Sequence, residues 1–74
     1  MKYWEIDSDR HGHIRIEWNE SNTFNLQAPI IKRLPFCEPY IAEWVDFHCF
    51  TCYGIGSDED ALEAAYEVLG GLEQ

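Results

Sequence analysis

The sequence predicts an α+β fold: a small antiparallel sheet of three to four strands, with a C-terminal amphipathic helix packed on one face. Two stretches near the start, carrying Trp4/Ile6 and Ile14/Ile16/Trp18, alternate with the two-residue period of half-buried strands. After Ser57 the period becomes helical, and Leu62, Ala65, Tyr66, Leu69 and Leu72 fall on one stripe. A chain of 74 residues has room for one domain, 1–74, and one small core. Three Trp, four Tyr and four Phe supply the large rings such a core needs.

The first two strands are residues 3–8 and 13–18. Between them Asp9-Arg10-His11-Gly12 has turn chemistry, so the pair reads as an antiparallel hairpin. Its other face sets Glu5 and Asp7 against Arg15, a favourable cross-strand arrangement. The polar turn Asn19-Glu20-Ser21-Asn22 leads into a short third strand holding Phe24 and Leu26. Pro29, Pro35 and Pro39 then interrupt residues 28–39, which therefore read as an apolar connection rather than a central strand.

Residues 40–53 fit two periods. As a strand, Val45, Phe47, Cys49, Thr51 and Tyr53 share a face; as a helix opened by Pro39, Ile41, Trp44, Val45 and His48 do. The β-branched and aromatic density after Trp44 favours a strand there, with a helical turn before it. The last element is better marked. Gly54-Ile55-Gly56 ends the strand, Ser57 is placed as an N-cap with Asp60 three residues on, and Asp58 and Glu59 suit the helix dipole. Gly70-Gly71 is expected to weaken or end this helix.

The formal net charge is −9, and it is unevenly placed. Residues 1–33 are neutral, with five acids and all five Lys and Arg; residues 34–74 hold nine acids and neither cation. Direct contact with nucleic acid or an anionic membrane is disfavoured, because phosphates need cations. No stretch has the roughly 20 apolar residues of a membrane span, and the first residues lack the apolar run of a secretory signal, so a cytoplasmic setting is expected. Cys37, Cys49 and Cys52 are an odd set that cannot close into disulfides, which fits free thiols in a reducing compartment.

Three groupings could carry chemistry. Cys49-x-x-Cys52 with His48 and Cys37 has the inventory of a zinc site, but the strand-like Phe50-Thr51 offers no tight turn, so buried thiols are the favoured reading and no cofactor or metal is expected. His11-Gly12-His13 reads as an exposed turn. No GxSxG, Gly-rich phosphate loop or HExxH is present, and no catalytic residue is assigned. The third grouping is acidic. Glu59, Glu63 and Glu67 recur at four-residue spacing on one helix face, about 6 Å apart, where like charges repel by about 0.2–0.5 kcal/mol per pair. The dipole accounts for Asp58 to Asp60 but not for Glu63 and Glu67. With Glu38, Glu43 and Asp46 they form a candidate partner-binding set; a merely solubilising face is the alternative.

The segment CFTCYGIGSDEDALEAAYEVLGGL, through Gly56, Ser57, Glu59, Asp60, Ala61, Leu62 and Ala65, resembles the C-terminal part of HicB-like antitoxins over about a third of the chain. That resemblance implies a module binding a small RNase toxin. In type rather than motif, a short, very acidic chain without catalytic residues also resembles phage anti-CRISPR proteins and other DNA mimics. Both imply an acidic, non-enzymatic inhibitor seated on a basic nucleic-acid-handling protein, in the host cytoplasm if phage-encoded. The rival expectations are a small homo-oligomeric assembly protein using Ile30, Ile31, Leu34 and Phe36, and, more weakly, a zinc module.

Overall fold

The computed structural model describes residues 1–19 and 21–72. Four strands, β1 (Lys2–Ser8), β2 (Gly12–Trp18), β3 (Thr23–Lys32) and β4 (Tyr40–Thr51), pair in chain order as an antiparallel meander, followed by α1 (Asp58–Leu72). The predicted hairpin is present, with Glu5 opposite Arg15 and Ile6 opposite Ile14. Gly12 closes its turn at φ +73°, a left-handed conformation that glycine adopts without a Cβ clash. Of the second turn, Glu20 lies outside the described residues; Asn19 Oδ1 accepts bonds from the Ser21 amide and hydroxyl.

Apolar residues at alternate positions put Ile14, Ile16 and Trp18 of β2 and Phe24 and Leu26 of β3 on one face, where Ala61, Ala65 and Leu69 of α1 cover them. A row of rings runs across all four strands on this side. Trp4 stacks on Trp18 (6.2 Å between centroids), Trp18 on Phe24 (6.0 Å) and Phe24 on Phe50 (4.8 Å). Alanines at 61 and 65 let the helix backbone come close to these rings. The helix starts where expected: the Asp60 amide donates to Ser57 Oγ at 3.2 Å, and the Ala61 amide to the Ser57 carbonyl at 3.1 Å. Lys2 Nζ donates to Asp58 Oδ1 at 2.6 Å, tying the first strand to the first helical turn.

Five expectations are corrected. Pro29 does not end β3, which continues to Lys32 as a strand paired with β4. Pairing of β2 with β3 stops at Arg15–Gln27, so the segment holding Pro29 has β4 on one side only, and proline is tolerated on such an edge. Residues 40–44 form no helical turn; β4 is extended throughout. Its faces also switch. The register slips between Leu26/Gln27 and between Ile30/Ile31, so β4 passes Phe47 and Ala42 without a partner. Val45, opposite Ala28, thus lies on the helix side, while Cys49, opposite Asn25, lies on the other; the two do not share a face. Lastly, α1 runs through Gly70-Gly71 to Leu72, and Tyr66 points out from the stripe at 52% exposure.

Candidate protein-binding surface

The molecule has three surfaces of different character: the outer side of α1, the sheet face opposite the helix, and the distal part of the β3–β4 hairpin. With Ala61, Ala65 and Leu69 turned inward, the 3.6-residue repeat leaves Glu59, Glu63 and Glu67 exposed along the helix. Asp58 and Asp60 are also exposed, Asp58 while engaged with Lys2. The remaining candidate acids are elsewhere. Glu38 is in the β3–β4 turn, and Glu43 is in the distal part of β4, opposite Ile30. Asp46 is on the sheet face away from the helix, where its Oδ1 accepts from Gln27 Nε2 at 2.7 Å. The seven acids are therefore not one face: Asp58, Glu59, Glu63 and Glu67 are together on α1, and Glu38, Glu43 and Asp46 are not with them. Glu73 lies outside the described residues.

The sheet face opposite the helix carries a polar lattice that strand alternation alone does not reveal. Arg15 is in register with Glu5, yet its guanidinium lies between the Tyr3 and Trp44 rings, 4.4 and 4.8 Å from their centroids, and its Nε donates to Gln27 Oε1 at 2.7 Å. Gln27 is buried, and its amide nitrogen donates to Asp46 and, at 3.4 Å, to Glu17 Oε2. Asn25 Nδ2 donates to Glu17 Oε1 at 2.8 Å. One side chain of β2 thus links rings of β1 and β4, and one glutamine bridges acids of β2 and β4. Register could not be read from the sequence, so neither link was legible in it.

His13 occupies the same face. Its Nε2 is 2.9 Å from Glu5 Oε1 and its Nδ1 is 3.1 Å from Asp7 Oδ1. The hydrogen bonds to Glu5 and then Asp7 favour the imidazolium and raise the His13 pKa above 6.5, with desolvation opposing them. His11, at the hairpin turn, rests its ring 5.2 Å from that of Phe47.

The cysteines differ from expectation. Cys37 and Cys49 are exposed and only Cys52 is partly buried; Cys49 alternates with the core-facing Phe50 and lies opposite Asn25, on the face away from the helix. Among the described residues, no three His, Cys, Asp or Glu side chains converge as metal ligands would, and no pocket is present. No helix of the described residues is long and apolar enough to cross a membrane. These surfaces carry charge along the helix, rings and hydrogen-bonding groups on the sheet, and apolar side chains on the distal hairpin. No protein-family model, curated protein or solved structure matches this chain.

Proposed function

We propose that this protein is a non-enzymatic, acidic binding protein that inhibits a nucleic-acid-handling protein by occupying its basic surface, in the manner of an anti-CRISPR-like DNA mimic. The observation that supports this reading is the line of carboxylates on α1. Five acids, Asp58, Glu59, Asp60, Glu63 and Glu67, stand on a 15-residue helix, which at 1.5 Å per residue is about 22 Å long. That is about one negative charge per 4.5 Å, close to the roughly 3.4 Å per phosphate along one DNA strand. A groove that neutralises phosphates with Lys and Arg meets a similar line charge here, on a preformed rod. The acids occupy the first ten residues of the helix, Asp58 to Glu67, and no basic residue follows them in its last turn.

The binding face is accordingly the outer side of α1, through Glu59, Glu63 and Glu67, with Asp58 at its start engaged by Lys2 and the acids of the sheet and hairpin contributing to the long-range field. The field speeds encounter, and direct contacts fix the register. The test is affinity capture from a lysate, eluted with a salt step, using the native chain beside a triple variant, Glu59→Lys, Glu63→Lys and Glu67→Lys. All three sites are exposed, so the variant is expected to fold. A nucleic-acid-binding or nuclease subunit should appear in the salt eluate of the native chain and vanish with the variant. Capture by the variant with unchanged salt dependence refutes the assignment.

A further inference from the structure

The distal β3–β4 hairpin, residues 28–47, extends beyond the part of the sheet that α1 covers. The radius of gyration is 13.6 Å, against about 11 Å for a compact chain of this length, and the longest dimension is 48 Å. The helix, about 22 Å long, cannot reach along a 12-residue strand of about 40 Å. The uncovered arm bears Ile30, Ile31, Leu34, Phe36, Tyr40, Ile41, Val45 and Phe47, all exposed. At the tip the Cys37 amide donates to the Leu34 carbonyl at 3.3 Å, with Pro35 and Phe36 as the central residues and Phe36 at φ +66°. That is the pattern of a type II turn, whose third position usually takes glycine. Here it takes a phenylalanine whose ring is fully exposed. A strained backbone holding out a bare ring serves no purpose within this chain.

We propose that the arm is the interface of a two-fold homodimer, in which two arms lie antiparallel and each Phe36 seats against the base of the other copy's arm, beside its Val45 and Phe47. Two observations favour a second copy as the occupant. Ile30, Tyr40 and Val45 share one side of the arm, and with Leu34 and the fully exposed Phe36 at its tip they present about 600 Å², the lower end of the area per partner of a stable interface; Ile31 and Ile41 lie on the other side. The arm has Lys32 and Arg33 against Glu38, Glu43 and Asp46, a net −1, whereas the rest of the chain holds −8. Two arms can thus meet with little opposition between acids, whereas two copies of α1, with five acids each, cannot. Antiparallel arms also place the two acidic bodies at opposite ends, beyond a screening length of about 10 Å. Glu43, Asp46 and the two slips in β4 disfavour a continuous edge-to-edge ladder, so the contact is made by side chains of the arm.

This proposal does not rest on the acidic-partner reading, and salt separates the two. Sedimentation equilibrium, which is insensitive to elongation, over about 1–100 µM is expected to give a dimer. Its dissociation constant should fall as salt rises from about 0.1 to 1 M, because like-charged bodies are screened, whereas salt releases a basic partner. Phe36→Gly relieves the turn strain, leaves the fold at least as stable by thermal denaturation, and weakens the dimer by at least about 30-fold. Val45→Glu, exposed in one copy, should likewise give a folded monomer. A native chain that stays monomeric over this range, one that forms species larger than a dimer, or one whose dimer survives both substitutions, overturns the proposal.

Discussion

Replacing Gln27 by glutamate changes one atom and reverses the sense of two hydrogen bonds. Gln27 is 6% exposed; its amide nitrogen donates to Asp46 Oδ1 at 2.7 Å and to Glu17 Oε2 at 3.4 Å, and its oxygen accepts from Arg15 Nε at 2.7 Å. The Gln27→Glu variant keeps the Arg15 bond and sets an oxygen against Asp46 where a donor stood. The bond to the Asp46 carboxylate is a charged one, worth about 1.5–3 kcal/mol. Repulsion between the carboxylates and attraction to Arg15 are of similar size and opposite sign at these distances. The expected loss is therefore about 2–3 kcal/mol, out of about 4–11 kcal/mol for a domain of this length. Its dependence on pH identifies the cause. Burial, and a hydrogen bond to Asp46 that only the protonated form can donate, raise the folded-state pKa of the introduced carboxyl above its unfolded value of about 4.3. The deficit is thus full above the raised pKa and closes as the pH falls towards about 4.3, where a proton restores the donor. Urea denaturation of both chains at about pH 7 and about pH 4.5 measures it. A deficit under about 0.5 kcal/mol at neutral pH, or one equal at both pH values, refutes the reasoning.

Two further outcomes follow from the same geometry. Ser57→Ala removes the acceptor of the Asp60 amide and should cost about 1 kcal/mol, lowering Tm by about 4–8 °C in a calorimetric scan. In an NMR titration, His13 should protonate with a midpoint above 6.5, and Glu5→Gln should lower that midpoint more than Asp7→Asn, since the Glu5 bond leads. The protonated His13 pair adds stability fully below about pH 6.5, and that contribution is lost as pH rises through the raised pKa.

What the sequence revealed and what it hid have physical causes. The first hairpin was legible because Trp4, Ile6, Ile14, Ile16 and Trp18 alternate without interruption and each alternation coincides with burial. The helix start was legible because capping is local chemistry, decided within the span from Ser57 to Asp60. The exposed row at Glu59, Glu63 and Glu67 followed from helical spacing alone. β4 was illegible for the opposite reason: two unpaired residues, Ala42 and Phe47, break its alternation, and the pattern then imitates neither period well. The helix passes through Gly70-Gly71 because Leu69 and Leu72 on either side pack on the core, a tertiary gain that outweighs a local propensity. The separation of Asp46 from the helical acids, and the lattice from Tyr3 to Trp44, depend on register between distant strands. No local pattern encodes that.

The meander order has a consequence for how the chain reaches this structure. Every strand pairs with the next, across connections at 9–11, 19–22 and 33–39, so each pairing closes over a short loop and can form quickly. Only the docking of α1 is distant in sequence, and α1 is the last of these elements to be made. During synthesis at about 5–20 residues per second, the strands are complete about a second or more before the helix that covers them. Until α1 has been made, Ile14, Ile16, Phe24 and Leu26 have no helix to cover them, and the burial of that sheet face waits on the 15-residue helix.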